Sequence, residues 1–402
     1  MTNLPQGWKM ETLGEILSSD KYSIKRGPFG SALKKSFFVE KGIRIFEQYN
    51  PINNDPHWKR YFISHEKFQE LEAFKATEGD LLISCSGTLG KIVELPKDTE
   101  MGIINQALLK IRLNNIKILN SYFIYYFNSP IMQEKILEST LGSAIKNIAS
   151  VKILKQIEIP LPPLKEQERI VGILDFAFSK IDENIKKAKE NLANIDELMQ
   201  SALQKAFNPL NDNTKENYQL PQSWEWKSLE EISENISAGG DKPKNCTESK
   251  TAKNQIPVYA NGVNNNGLVG YTDKATIIKP SLTISARGTI GFVCIRKEPY
   301  FPIVRLISLI PCENILCLHY LYFCLNFFIA KGEGSSIPQL TIPKFKSLQI
   351  PLPPIKEQEQ ITSHLDELSS HVKNLKQNYQ AQIKDLQELK NSLLDKAFKG
   401  NL

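Results

Sequence analysis

Apolar residues recur along this chain with two different periods. Ile181, Ile185, Ala188, Leu192, Ile195, Met199, Ala202 and Ala206 step by alternating fours and threes. Leu365, Leu368, Val372, Leu375 and Tyr379 do the same, and Leu386, Leu389 and Leu393 resume after a polar break at Gln382. That spacing is the seam of a coiled coil, so two long helices are expected to lie against each other. Each leaves a proline pair, Pro162-Pro163 or Pro353-Pro354, which cannot donate hydrogen bonds and releases the chain into a helix, from about Lys165 in the first case. Glu166 and Glu168 fall in the first turn, where the helix dipole favours acids. Roughly 43 residues at ~1.5 Å each predict a rod of roughly 64 Å. Elsewhere the runs are short. Asp80–Ser84 and Ile103–Leu113 predict buried strands, and Ser121–Asn128 begins a helix packed by Tyr122, Phe123, Tyr126 and Phe127. No long βαβ rhythm appears, so small mixed α/β domains with antiparallel or mixed sheet are expected.

The chain carries most of this pattern twice. IPLPPLKEQE at 159–168 returns as IPLPPIKEQE at 350–359, and the offset of 191 holds to Lys205-Ala206-Phe207 and Lys396-Ala397-Phe398. Weaker anchors precede it in the same order. Leu4-Pro5-Gln6-Gly7-Trp8 answers to Leu220-Pro221-Gln222-Ser223-Trp224, and Ile83–Gly90 to Ile284–Gly291. Tyr122 answers to Tyr320, and Gly142-Ser143-Ala144-Ile145 to Gly334-Ser335-Ser336-Ile337. This is domain duplication rather than a short repeat array. Between anchors the copies are unrelated: Arg26–Gly30 and the Asn-rich 261–266 find no counterpart in the opposite copy. A shared frame with unlike inserts suits two sites of different specificity. The expected boundaries are a first domain over 1–158, a helix over 159–207, a linker over 208–219, a second domain over 220–349 and a second helix over 350–402.

Composition narrows the class. At 402 residues the chain can hold two cores, and a net charge of +6 is too slight to announce nucleic acid by itself. No run is long and apolar enough for a membrane span, and no secretory leader follows Met1, so a cytoplasmic protein is expected. The six cysteines show no CxxC and are expected to be reduced and mostly buried. Catalytic patterns are missing: no Gly-rich cofactor loop, no phosphate loop ending in lysine, no metal-ligand spacing among the five histidines. Gly332-Glu333-Gly334 reads as a turn. The chain reads as a binding protein.

The paired IPLPPLKEQERI and IPLPPIKEQEQI motifs, each followed by a helix ending LxKAF, resemble the specificity subunit of Type I restriction–modification enzymes. The opening LPxxW segments and the ISxxGTxG turns strengthen the likeness, which covers nearly the whole chain. The resemblance implies an α+β architecture: two tandem target-recognition domains separated by two long antiparallel helices, pseudo-twofold overall. Each domain would read one half of a split, asymmetric sequence in double-stranded DNA. The helices would set the spacer and dock two modification subunits carrying S-adenosylmethionine. Two restriction subunits using ATP and Mg²⁺ would join that core, and this chain would itself be non-catalytic, with no cofactor of its own.

Bases are read by Arg, Lys, Asn and Gln in paired hydrogen bonds, and phosphates by Lys and Ser. The first domain then offers Arg26, Ser31, Lys34, Lys35, Gln48, Asn50, Asn53, Asn54, His57, Lys59, Arg60 and Ser86. The second offers Lys242, Lys244, Asn261, Asn264, Asn265, Asn266, Tyr271, Lys274 and Arg287. Phe176 and Phe178 are expected to be exposed on the rod and to need a partner's cover. Two other readings stay open: a specificity chain of a system with fused methylase and nuclease, and a coiled-coil adaptor bearing two protein-binding domains.

Overall fold

A computed structural model describes residues 4–138, 148, 150–211, 218–329 and 339–402. The Gly142–Ile145 and Gly334–Ile337 anchors, Gly332-Glu333-Gly334 and residues 212–217 of the 208–219 linker lie outside the described residues. The chain divides into two units, residues 1–187 with 381–402, and residues 188–380. This differs from the boundaries expected above, because each long helix is shared between the units. The central helix (Leu164–Phe207) and the C-terminal helix (Ile355–Phe398) each run 44 residues, about 66 Å at ~1.5 Å per residue.

Each unit holds the same four-stranded antiparallel sheet. In the first its order is Ile24–Arg26, Leu108–Ile111, Leu81–Ser84, Ile92–Glu94. In the second it is Ser233–Ala238, Ile307–Pro311, Ser281–Ile284, Val293–Arg296. The expected Ile103–Leu113 strand is in fact two, Gly102–Ile104 and Leu108–Ile111, broken at Asn105. The first of these enters a second sheet, lying parallel to Ile43–Phe46; in the other unit Phe301–Pro302 lies parallel to Ile256–Tyr259. The unlike inserts therefore hang on equivalent strands. A two-stranded ribbon closes each unit, Lys9–Thr12 against Glu158–Leu161 and Glu225–Ser228 against Gln349–Leu352.

The repeated residues are the ones that join helix to domain. Gln167 is fully buried; its amide donates to the carbonyls of Lys117 and Pro162, and its oxygen accepts from Leu119 N–H, each at 2.9 Å. Gln358 makes the same three bonds, to Ile315, Pro353 and Cys317, each at 2.8 Å. A buried amide is retained only where all its groups find partners, and this one bolts the first helical turn to the domain it leaves. Tyr122 and Tyr320 add matching bonds to the carbonyls of Pro160 and Pro351, at 2.8 and 2.7 Å.

The far end of each helix is bound by the other copy's domain. Phe398 packs edge-on to Tyr122 and Tyr126, with ring centroids 5.4 and 5.1 Å away. Phe207 packs on Tyr320 at 5.5 Å. Burying a phenylalanine is worth ~1.5–3 kcal/mol, which explains why KAF closes both copies.

Within each unit the two helices run antiparallel. In the first, Lys390 pairs with Asp182 at 2.5 Å and covers the Phe178 ring. In the second, Lys376 pairs with Asp196, and Asn191 donates to the Tyr379 hydroxyl. On the central helix the expected seam positions are covered, Ile181 and Ile195 buried and Ile185, Leu192 and Met199 half-buried. On the C-terminal helix Leu365 and Val372 are buried, and Leu368, Tyr379, Leu386 and Leu393 half-buried. Leu375 and Leu389 are not seam residues: they are 42% and 46% exposed. The facing positions one residue on are Lys376 and Lys390, whose stems lie along the seam while their charges reach the aspartates. Phe178 also departs from expectation, packing edge-on against Tyr125; Phe176 is 70% exposed. Among the described residues, no helix is long and apolar enough to cross a membrane. The six cysteines are free, but only Cys85 and Cys324 are buried.

Candidate nucleic-acid interface

Hydrogen bonds gather four loops at one end of each unit. In the first unit these follow Arg26, Phe46, Ser84 and Ile104. Gly27 N–H donates to Leu108 O at 2.9 Å, Asn105 N–H to Phe46 O at 3.0 Å, and Cys85 N–H to Ala107 O at 2.8 Å. The Gln48 amide donates to both Ser86 O (2.9 Å) and Ser86 Oγ (2.5 Å). The second unit repeats the stitching with other residues. Gly239 N–H donates to Leu306 O at 2.8 Å and Ile303 N–H to Tyr259 O at 2.8 Å. Asn261 accepts from Ala286 N–H at 2.8 Å and donates to Val304 O at 2.6 Å.

These bonds reveal matches that the sequence hides. Gln48 and Asn261 hold the same place after the same strand, each clipping the ISxxGTxG turn. Gly27 matches Gly239, so the 26–30 segment does have a structural counterpart. The reason for glycine is close approach: a Cβ on Gly27 would lie 1.8 Å from Asn105 O, and one on Gly239 2.5 Å from the Pro302 carbonyl carbon. No alignment of letters carries this, because the shared quantity is a backbone distance.

On that common frame the side chains differ. The first cluster presents Arg26 beside a 74%-exposed Phe29 (6.0 Å to the ring centroid), with Gln48 and Ser86 half-buried and Gln106 exposed. The second presents Lys242, Arg287 and Arg305, all exposed, with Asp241 among them. Gln106, Phe29 and Arg305 were not singled out from sequence, since each sits in an ordinary-looking turn. Cys85 lies in the first turn but is no nucleophile: burial pushes its thiol up to about 12.

Other sequence-expected residues fall elsewhere. Asn50 is fully buried, donating to Asp55 O and Trp58 O at 2.9 and 2.8 Å and accepting from Glu47 N–H at 2.9 Å. It pins the 47–58 loop and has no edge left for a base, which corrects the expectation. Lys59 is paired with Glu100 at 3.0 Å, and His57 lies 3.7 Å from Asp98, so acids offset both. Arg60 lies over the Tyr61 ring at 4.7 Å. Asn53, Asn54, Ser31, Lys34 and Lys35 are exposed on turns. In the second unit Asn264, Asn265 and Asn266 form an exposed turn of the 256–272 hairpin, with left-handed φ of 47° and 52° at the last two. Gly262 N–H ties that hairpin to Ser285 Oγ at 3.2 Å, beside the cluster. Lys244 and Lys274 are exposed, while Tyr271 is half-buried and engaged by backbone bonds to Thr247. No group of metal-binding side chains occurs among the described residues.

A loop cluster built twice, with unlike polar residues on one frame, suits recognition rather than turnover. The family described as the Type I restriction modification DNA specificity domain matches residues 5–194 and 221–385, and the chain belongs to it. Relatives include two named putative type I specificity subunits from Mycoplasma pneumoniae. S.MpnORF507P is 31% identical over 54% of this chain and 56% of its own length, and S.MpnORF89P is 31% identical over 63% and 74%. The Type I restriction enzyme EcoBI specificity subunit of Escherichia coli is 30% identical over 51% of this chain and 42% of its own. Among solved structures, a chain from work on complex assembly and conformational transition of the type I R-M system superposes with a TM-score of 0.82 at 21% identity, covering both chains fully. The HsdS subunit of Thermoanaerobacter tengcongensis superposes at 0.60 with 20% identity, over 99% and 98% of the two chains. These likenesses fix the fold: tandem domains of mixed sheet joined through long helices.

Proposed function

We propose that this chain is the DNA-reading subunit of a Type I restriction–modification complex and does no chemistry itself. The observation that carries this is the repeated loop cluster: one set of backbone contacts presents Arg26, Gln48 and Gln106 in one unit and Lys242, Arg287 and Arg305 in the other. Each unit reads one half of a bipartite target in the major groove of double-stranded DNA, where amides and guanidiniums distinguish base edges. The exposed lysines, Lys34, Lys35, Lys242, Lys244 and Lys274, contact phosphate and set register. The two helices, each about 66 Å long against ~34 Å per DNA turn, fix the number of unread base pairs between the halves.

Two modification subunits dock on the helices and bring S-adenosylmethionine, and two restriction subunits bring ATP and Mg²⁺, all acting in the cytoplasm. Phe176 and its exposed neighbour Ile173 on the central helix supply apolar area for such a contact. The test is methylation mapping by long reads in cells with and without the gene. The proposal expects one bipartite motif to lose methylation with the gene; an unchanged methylome refutes it.

A further inference from the structure

We infer that Arg305 is a base-reading residue of the second domain, aimed by a strained turn at the guanine of a G·C pair. The inference rests on the DNA-reading proposal above. Val304 and Arg305 adopt consecutive left-handed conformations, φ 53° and 58°. That region disfavours any residue with a Cβ, and a β-branched valine most of all. The equivalent turn of the first unit, at Gln106-Ala107, has no positive φ. The strain is therefore a property of this insert and not of the shared frame.

Such a conformation persists only where the surroundings over-determine it. Here Val304 N–H donates to Gly240 O and Arg305 N–H to Gly239 O, both at 2.8 Å, while Val304 O accepts from Asn261 at 2.6 Å. Three hydrogen bonds from two neighbouring loops thus hold this turn in a disfavoured state. The result is that both side chains stay in solvent: Val304 is 51% exposed, and Arg305 is exposed with no ion pair among the described residues. An arginine serving stability would sit against a carboxylate, as Arg112 does at 2.7 Å from Asp80. Arg305 is instead held at its backbone and free at its guanidinium, in the same cluster as Arg287. A planar fork with five donors matches guanine O6 and N7. The adjacent Val304 offers an apolar contact for a neighbouring thymine methyl.

The test expresses the full chain with its modification subunits in a host lacking adenine methylation and compares motifs for wild type, Arg305→Ala and Arg305→Lys. A wild type that methylates no bipartite motif ends the parent proposal, separately from this one. With the motif present, Arg305→Ala is expected to make one G·C position of one half-site degenerate, with discrimination there falling about ten- to a hundred-fold. The other half-site stays unchanged, and lysine, a point charge without the fork, fails to restore the base. An unchanged motif in Arg305→Ala overturns the inference. Uniform weakening at every position, rescued by lysine, assigns Arg305 to a phosphate and overturns it too. Loss of all methylation in both variants does the same, because a base reader leaves the other half-site intact.

Discussion

Replacing Gln167 with leucine is the sharpest test of how helix and domain are joined. The substitution keeps the volume but removes one acceptor and two donors from a fully buried position. Leu119 N–H and the carbonyls of Lys117 and Pro162 are then left without partners away from water. Each stranded group costs ~1–3 kcal/mol; at the low end the three sum to about 3 kcal/mol, less a little for leucine's better burial. Since 1.4 kcal/mol is tenfold, amide exchange at Leu119 should accelerate roughly a hundredfold or more. Hydrogen exchange on the full chain reads this locally, which matters because two units need not unfold in one step. Amides of the second unit, bolted by Gln358, should exchange at the wild-type rate. Acceleration below about fivefold at Leu119, equivalent to ~1 kcal/mol, would refute the bolt. Gln167→Glu supplies an independent check. A carboxyl there can stay neutral and donate, whereas the ionised form faces two carbonyls, so its folded-state pKa must be raised. Destabilisation should then grow as pH rises above the ordinary ~4.3 of a glutamate.

Four further outcomes follow from the same contacts. Phe398→Ala should cost about 3–5 kcal/mol and loosen the Tyr122 helix, far away in sequence, leaving the Tyr320 helix unaffected; protection measured at both helices decides it. Leu394 is buried in the first unit's core, so Leu394→Ala should cost ~2–5 kcal/mol, while Leu389→Gln at its exposed position stays within ~0.5 kcal/mol; equal effects in denaturant melts would contradict the exposure assigned to Leu389. Gly27→Ala, forced onto the Asn105 carbonyl, should lower stability by at least ~1–3 kcal/mol and impair first-half-site recognition; a variant as stable as wild type in thermal melts would contradict the close approach. Glu15 and Glu231 accept from the backbone and hydroxyl of Thr12 and Ser228, which hold both carboxyls below the usual 4.5. Because the folded values are depressed, the contribution is present above the unfolded value and lost as pH falls through the folded one. Thr12 and Ser228 amide shifts should move below 4.5; a midpoint at or above it refutes the cap.

Much of the architecture was legible in the residues. The apolar period marked both helices, since a seam must repeat wherever two helices share a face, and the proline pair put the start of the first at about Lys165, one residue from the observed Leu164. The recurrence of IPLPP, KEQE and KAF marked the joints, since a buried amide and a buried aromatic admit few substitutes. Legibility failed where side chains compensate at a distance. Lys376 and Lys390 occupy seam positions because an aspartate on the other helix meets each charge, so Leu375 and Leu389 misled. Asn50 looked like a reader and is a pin, because polarity alone does not say whether an amide faces water or three backbone groups.

The sequence by itself determined that one frame is used twice and that a helix leaves each copy at the same step, for these depend on short-range pattern and repetition. Only the tertiary structure decided that each helix ends in the other copy's core, that Gln48 matches Asn261 and Gly27 matches Gly239, and that Arg305 stands free on a strained turn. Those facts are set by backbone approach and hydrogen bonding between residues tens to hundreds of positions apart, quantities that no local pattern of letters encodes.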